Sequence, residues 1–154
     1  AELLKGKPLL KTEKTQEQLK KIIELFGGPK EEDLSGVPNK KEIAYQVRKF
    51  TPKPWEQIFP NTPKELLDLL GKMFVYNPKK RITAMEIMAH PFFDDLRNKD
   101  TCFNNGKYII PNLFDFSEKE ISMSKQRNLW TKIIPEWSEG YQNLISFANN
   151  NNSQ

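Results

Sequence analysis

The chain has 154 residues, of which 37% are apolar, 29% are charged and 11 are prolines. This length is sufficient for one ordinary domain, and the frequent prolines favour short helices joined by long loops. Lys and Arg outnumber Asp and Glu by 24 to 20, but acids and bases alternate along the chain, which argues against a nucleic-acid-binding protein.

Membrane and secreted classes are also disfavoured. No apolar run approaches the roughly 18 residues of a membrane span, and no signal peptide opens the chain. The single cysteine, Cys102, excludes an internal disulfide and a Cys-based zinc site, and it fits a reducing compartment. We therefore expect a soluble intracellular protein, located in the cytoplasm and with the nucleus as an additional compartment.

The predicted elements at the start of the chain are helices. Residues 1–5 are typical of the last turn of a helix that ends at Gly6, so we expect this helix to begin before residue 1. A second helix is predicted over about residues 15–26, and it ends at Gly27-Gly28-Pro29. Its apolar face is formed by Leu19, Ile22, Ile23 and Phe26.

Two more helices follow, over about residues 63–75 and 84–89, and the second stops before Pro91. The longer one is predicted to bury Leu66, Leu67, Leu69, Leu70, Met73 and Phe74. Four helix starts share a hydroxyl residue followed three positions later by Glu or Gln, which predicts a capping box. These pairs are Thr15 with Gln18, Thr62 with Glu65, Thr83 with Glu86, and Ser117 with Glu120. Pro63 is placed at the first helical position.

Strand signals are almost absent. Only Ala44 to Val47 and Tyr108 to Ile110 are candidates, and no repeat of fixed period is found. The Asn-rich residues 141–154 predict a disordered tail. The fold class is therefore mainly α.

Motifs that carry chemistry are missing. The chain has no glycine-rich phosphate loop, no P-loop, and neither the zinc-protease nor the serine-hydrolase motif. The sole histidine, His90, lies between an apolar helix and Pro91, which favours a structural histidine bonded to backbone over a general base. The acidic runs Asp94-Asp95 and Glu31-Glu32-Asp33 are interpreted as solvated surface. We expect no catalytic, cofactor-binding or metal-binding residue in this chain.

The basic run Lys79-Lys80-Arg81, before the predicted helix over residues 84–89, has a different interpretation. Lys79 and Lys80 are predicted to lie at the surface. Arg81, which directly precedes the capped helix, is predicted to be buried in an ion pair, because a guanidinium is permanently charged and can bind a carboxylate with two parallel hydrogen bonds.

These segments resemble a known family. Tyr76-x-Pro78-x-x-Arg81-Ile82-Thr83, followed by Ala89-His90-Pro91-Phe92-Phe93, resembles the end of the C-lobe of eukaryotic Ser/Thr protein kinases. The residues that are similar to the CMGC group of these kinases are Ala1 to Leu4, Gly6-x-Pro8, Gln18 to Ile22, Gly27-x-Pro29 and Pro54-Trp55. Those that resemble the glycogen synthase kinase 3 family are Phe92 to Arg97, Asn105-Gly106, Pro111 to Ser117, and Glu120.

The resemblance implies a partial kinase C-lobe over residues 1–96, a family-specific extension over 97–140 and the tail over 141–154. It implies that the parent protein is a Ser/Thr kinase, a transferase that uses ATP and Mg²⁺. The glycine-rich loop, the strand lysine, the His-Arg-Asp and Asp-Phe-Gly motifs and the activation loop are absent from this sequence. The 154-residue chain alone is therefore expected to be an inactive fragment that binds neither cofactor and requires the remainder of the kinase domain.

The resemblance also implies two roles in binding. In such kinases the arginine that matches Arg81 pairs with the glutamate of an Ala-Pro-Glu motif and anchors the activation segment. The helix that matches residues 15–26 helps to form an apolar groove for amphipathic helices of scaffold proteins. Here Gln16 and Lys20 occupy positions that are usually apolar, and residues 37–50 match the family poorly.

Alternatives stay open for both the groove and the chain. The residues Leu19, Ile22, Ile23 and Phe26 either line a docking groove or pack onto the core of the lobe. The expected partners are protein substrates and scaffold helices, without nucleic acid or membrane. A stand-alone interaction module derived from a kinase, or a piece of a pseudokinase, are the alternative functions.

Overall fold

The computed structural model of the chain describes residues 1–103, 108–109, 112–123 and 127–152. The chain divides into two compact units, Ala1–Ile82 and Thr83–Gln154. Most described residues in regular structure are helical, as predicted. Within the described ranges, no helix combines the length and the apolar composition that crossing a membrane would require.

The first unit consists of short helices. Its α-helices are α1 (Glu2–Lys5), α2 (Thr15–Phe26), α3 (Lys40–Val47), α4 (Trp55–Ile58) and α5 (Lys64–Met73), with a 3₁₀ helix over Glu31–Leu34. As predicted, α1 ends at Gly6, which adopts the left-handed conformation with φ 64°. The bounds of α2 are those predicted, because its apolar spacing and the glycines after Phe26 define both ends.

The second unit mixes helices with one small hairpin. Its helices are α6 (Ala84–Met88), α7 (Glu118–Met123), α8 (Trp130–Ile133) and α9 (Gly140–Asn152), with 3₁₀ helices over Pro91–Arg97 and Arg127–Leu129. The strands β1 (Cys102–Phe103) and β2 (Tyr108–Ile109) pair antiparallel, with Cys102 opposite Ile109. The residues Asn105-Gly106, Ile110 and Pro111 of the predictions lie outside the described residues.

Two of the four predicted capping boxes form. The Thr83 hydroxyl accepts a hydrogen bond from the Glu86 amide at 3.3 Å, and the Glu86 carboxylate accepts one from the Thr83 amide at 2.8 Å. The Ser117 and Glu120 pair makes the same two bonds. The boxes predicted at Thr15 and Thr62 were wrong. The helix α2 begins one residue earlier than its box requires, after the N-cap residue Lys14, and α5 begins one residue later, after the N-cap residue Pro63.

The predicted strand from Ala44 to Val47 was also wrong. These residues belong to α3, in which Ile43, Ala44 and Val47 lie half-buried at helical spacing. The spacing of apolar residues over these four positions is compatible with a helix and with a strand. The tertiary contacts of this segment favour the helix. The short strand predicted at Tyr108 is present over Tyr108–Ile109.

Each unit has its own core. In the first unit, Ile58, Phe59, Leu67 and Leu70 are buried together. Met73 was predicted to be buried but is 40% exposed. It is the last residue of α5 and does not belong to the buried cluster of this unit.

In the second unit, the buried cluster consists of Ala89, Phe114, Ile121, Trp130, Ile133, Ile134 and Leu144. This cluster joins residues that the sequence assigned to separate regions, with boundaries after residues 96 and 140. Leu144 lies on α9, so the structure has a helix over Gly140–Asn152 where the sequence predicted a disordered tail. Burial of Leu144 and the packing of Tyr141 and Phe147 against the cluster stabilise a helix that composition alone does not favour.

Candidate functional site

The C-terminal end of α2 is fixed by two hydrogen bonds to the loop after α3. The Lys53 amide donates to the Leu25 carbonyl, and the Gly28 amide donates to the Phe50 carbonyl, each at 3.0 Å. At Gly27, φ is 78° and an added Cβ would lie 2.8 Å from Cδ of Pro52. Only glycine fits this close approach without strain, so the loop after α3 holds α2 in place.

A second contact comes from Tyr76. Its half-buried hydroxyl donates to the Gly27 carbonyl at 2.6 Å and thereby connects α2 to the segment that precedes Arg81. Burial raises the pKa of Tyr76, and the negative charge of Asp33 raises it further. The sequence identified Tyr76 only as part of a family motif. Its position could have predicted more, because Tyr76 follows a predicted apolar helix and precedes Pro78 by two residues. A tyrosine at such a position often buries its ring and hydrogen-bonds its hydroxyl.

The face of α2 borders an open cavity of about 410 Å³. The residues that line it are Leu10, Leu19, Ile22, Phe26, Met73, Phe74, Val75, Tyr76 and Arg81. Three of the four predicted groove residues are therefore brought together here, whereas Ile23 is not part of this lining. The sequence missed Leu10 and Val75, which contribute from loops and carry no periodic signal.

The two open interpretations of the α2 face apply to different residues. Phe26 packs on the core, with its ring centroid 4.7 Å from that of Phe74 and 5.3 Å from that of Trp55. Leu19, about two turns earlier, is 55% exposed. An apolar side chain at the rim of an apolar cavity is available to a partner, so docking at this face stays a prediction that involves Leu19 more than Phe26.

Arg81 lies at the same cavity but is not buried. Its Nε donates to the Val75 carbonyl at 3.0 Å, and its side chain is exposed. Among the described residues it forms no ion pair. The predicted ion pair of Arg81 has its carboxylate partner outside this chain, so its burial in that pair stays a prediction. The flanking prediction was right, since Lys80 is exposed and pairs with Glu32 at 3.1 Å.

His90 has the structural role that the sequence predicted. It is 5% exposed, and its Nδ1 accepts a hydrogen bond from the Phe92 amide at 3.3 Å. Arg97, which the sequence missed, donates to the carbonyls of Met88 at 2.6 Å and of His90 at 3.1 Å, and it pairs with Asp94. These bonds satisfy carbonyls at and just after the end of α6. The side chain of Arg97 therefore stabilises the segment that follows this helix.

The acidic residues form no metal site in the described part of the chain. Glu31 pairs with Lys40 at 3.6 Å, and Glu32 pairs with Lys80. No group of three or more His, Cys, Asp or Glu that could hold a metal ion occurs among the residues described.

Comparison with known proteins gives a consistent result. No family model matches the chain. It is 37% identical to protein kinase gsk3 of Schizosaccharomyces pombe over 142 residues, which are 88% of this chain and 36% of that protein. It is 32% identical to glycogen synthase kinase 1 of Pyricularia oryzae over 134 residues, which are 83% of this chain and 34% of that protein. The chain therefore spans about a third of the length of the curated relatives it matches.

Proposed function

We propose, from the premise that this chain belongs to the glycogen synthase kinase 3 family, that it forms the C-terminal part of the C-lobe of an active Ser/Thr protein kinase. The parent protein would transfer the γ-phosphoryl group of ATP, with Mg²⁺, to Ser or Thr of protein substrates. The observation that carries this proposal is the identity of 37% over 88% of the chain. Catalytic residues would come from outside these 154 residues.

The proposed task of Arg81 is to hold the activation segment. Its exposed guanidinium lies beside an apolar cavity of about 410 Å³, with only a carbonyl on its Nε. This leaves the two terminal nitrogens available for a bidentate bond to a carboxylate, and the apolar surroundings would strengthen that bond by excluding water. The glutamate that the family resemblance implies has the chemistry that this position can bind.

The activity of the full-length protein tests this role. We expect Arg81→Ala to lower kcat/KM for a peptide substrate by about tenfold or more, because the activation segment loses the guanidinium that holds its carboxylate. Arg81→Lys should recover little, since an ammonium cannot form the bidentate bond. Lys79→Ala, an exposed neighbour, is the control and should leave kcat/KM unchanged.

Two outcomes would contradict the proposal. If Arg81→Ala keeps the kcat/KM of the unaltered protein, Arg81 does not hold the activation segment. If the full-length protein transfers no phosphoryl group from ATP to any Ser or Thr peptide, it is not an active kinase. An interaction module or a pseudokinase would then replace this function.

The second proposed task is docking of scaffold helices on the α2 face. Leu19 is the exposed apolar residue beside the cavity, and an amphipathic helix buries its apolar face in such a groove. Leu19→Glu should abolish binding of an amphipathic helical peptide of roughly 18 residues, whereas Leu113→Glu, at a site with similar exposure in the other unit, should not. Equal binding by both variants would contradict docking at α2.

The location of the protein is proposed on chemical grounds. The exposed free thiol of Cys102 suits a reducing compartment such as the cytoplasm, with the nucleus as an additional location. Fluorescence imaging of the full-length protein at natural abundance tests this assignment, and accumulation in a secretory compartment would contradict it.

A further inference from the structure

Helix α3 presents an exposed basic face with an aromatic residue at its centre. Lys41, Tyr45 and Arg48 are spaced by four and then three residues, so they lie on one side of the helix. Arg48 is the C-cap residue of α3, and Lys49 follows directly. All four side chains are exposed. The opposite side is formed by half-buried residues, including Ile43 and Val47, so the helix packs with one face and leaves the other to solvent.

The cations of this face differ from the neighbouring ones because they lack acidic partners. Lys40 pairs with Glu31, and Lys80 pairs with Glu32. By contrast, Lys41, Arg48 and Lys49 form no ion pair with any residue that the structure describes. The acid within α3, Glu42, accepts a hydrogen bond from the Gln46 side chain at 3.2 Å.

The aromatic ring gives this face a defined geometry. The guanidinium carbon of Arg48 lies 4.0 Å from the centroid of Tyr45, and this cation–π contact holds the charge against the ring. Tyr45 is 63% exposed, which is high for a large aromatic side chain. Tyr and Arg are the residues that most often dominate the energy of protein interfaces.

We propose that the exposed face of α3, formed by Lys41, Tyr45, Arg48 and Lys49, binds an acidic peptide segment of a partner protein. Charge complementarity defines the occupant: the cations lack carboxylates within the described chain, and the Arg48 guanidinium, held against the Tyr45 ring, can donate two hydrogen bonds to one. The face from Lys41 to Arg48 is about 10 Å long, which matches acidic residues about three positions apart in an extended peptide. A nucleic acid would need a longer run of cations.

This proposal does not rest on phosphoryl transfer or on the α2 face. It concerns the part of the chain, residues 37–50, that matches the kinase family poorly, and its probe is a peptide that is neither substrate nor amphipathic helix. A loss of activity in Arg81→Ala, or a loss of helix binding in Leu19→Glu, would leave its test unaffected.

The experiment measures binding of a labelled peptide to the full-length protein by fluorescence anisotropy. The probe is a peptide of about 12 residues with Glu at every third position, and the reference probe carries Gln at the same positions. We expect saturable binding of the Glu peptide that weakens with salt, and no binding of the Gln peptide. Absence of Glu-peptide binding up to about 1 mM overturns the proposal.

Variants then locate the site. Lys41→Glu, Arg48→Glu and Lys49→Glu together should weaken binding by about tenfold or more, because attraction becomes repulsion at three positions. The control is the triple variant Lys7→Glu, Lys14→Glu and Lys79→Glu, which makes the same change of net charge at exposed lysines of the same unit. Equal weakening by both triple variants would show an effect of net charge only and would overturn the proposal.

Variants of Tyr45 distinguish a specific binding site from a general attraction between opposite charges. Tyr45→Ala should weaken binding of the Glu peptide by about threefold to tenfold, since Arg48 loses the ring that orients it, whereas Tyr45→Phe should retain most of the affinity. Unchanged affinity in Tyr45→Ala overturns the proposal. Binding of a single-stranded oligonucleotide of equal charge as tightly as the Glu peptide also overturns it. Unchanged tryptophan fluorescence verifies that each variant keeps its fold, because Trp55 contacts both Phe26 and Phe74 in the core of the same unit.

Discussion

The hydrogen bond from Tyr76 to Gly27 is expected to stabilise the whole candidate site. Tyr76→Phe removes one oxygen and leaves the ring in place, so the packing beside the cavity is retained. The bond is short, at 2.6 Å, and Gly27 is buried. Loss of the hydroxyl therefore leaves a buried carbonyl without this donor.

The magnitude follows from these two facts. A net hydrogen bond contributes about 0.5 to 1.5 kcal/mol, and an unsatisfied buried acceptor costs about 1 to 3 kcal/mol. Because Tyr76 is only half-buried, we expect Tyr76→Phe to lower the free energy of unfolding by about 1 to 2 kcal/mol. For a chain of this size, that corresponds to a fall in Tm of about 3 to 6 °C.

Urea unfolding followed by tryptophan fluorescence is the assay, because Trp55 lies in the same unit and contacts Phe26 at the end of α2. Tyr45→Phe is the matched control. It removes the same atom from an exposed tyrosine, and we expect a change within about 0.3 kcal/mol. If Tyr76→Phe and Tyr45→Phe give the same free energy of unfolding, the contact does not fix α2 and the reasoning is refuted.

The pH dependence gives an independent check. The pKa of Tyr76 in the folded protein is raised above 10.0 by burial first and by Asp33 second. A raised pKa means that the neutral phenol is favoured in the folded state. Its contribution to stability is therefore fully present below about pH 10 and is lost as the pH rises further. Tyr76→Phe should remove this part of the alkaline decline, whereas Tyr45→Phe should retain it.

Three further predictions concern the second unit. Gly140→Ala should destabilise it by about 1 to 3 kcal/mol or more in thermal unfolding, because the new Cβ would lie 1.8 Å from the Phe114 carbonyl oxygen; an unchanged Tm would contradict this contact. Arg97→Gln should cost about 1.5 to 3 kcal/mol through loss of its bonds to two carbonyls, and exposed Lys99→Gln should cost almost nothing. The amide and hydroxyl of Ser117 lower the pKa of Glu120. The stabilising effect of this carboxylate should therefore be present above about pH 4.5 and be lost as the pH falls through its pKa in the folded protein. An NMR titration that gives Glu120 a pKa at or above 4.5 would refute this bond.

Local sequence determined the parts of the fold that depend on neighbours in the chain. The capping box of Thr83 and Glu86 formed as predicted, because both partners are three residues apart and satisfy each other without help from the rest of the protein. The bounds of α2 were predictable for the same reason. The kinase family could also be identified from the sequence, because its motifs are short and occur in the same order along the chain.

Tertiary structure decided the features that depend on distant partners. The segment from Ala44 to Val47 became helical because its half-buried side packs as a helix, although its local pattern allowed a strand. The buried position predicted for Met73 was wrong, because burial depends on contacts with other segments, and the spacing of apolar residues does not show whether those contacts exist. The cavity beside α2 joins residues 10 to 81, so its lining could not be derived from any single segment. The sequence by itself determined the family and the local helix signals, whereas only the tertiary structure decided which side chains are exposed to a partner, because exposure depends on contacts between residues far apart in the chain.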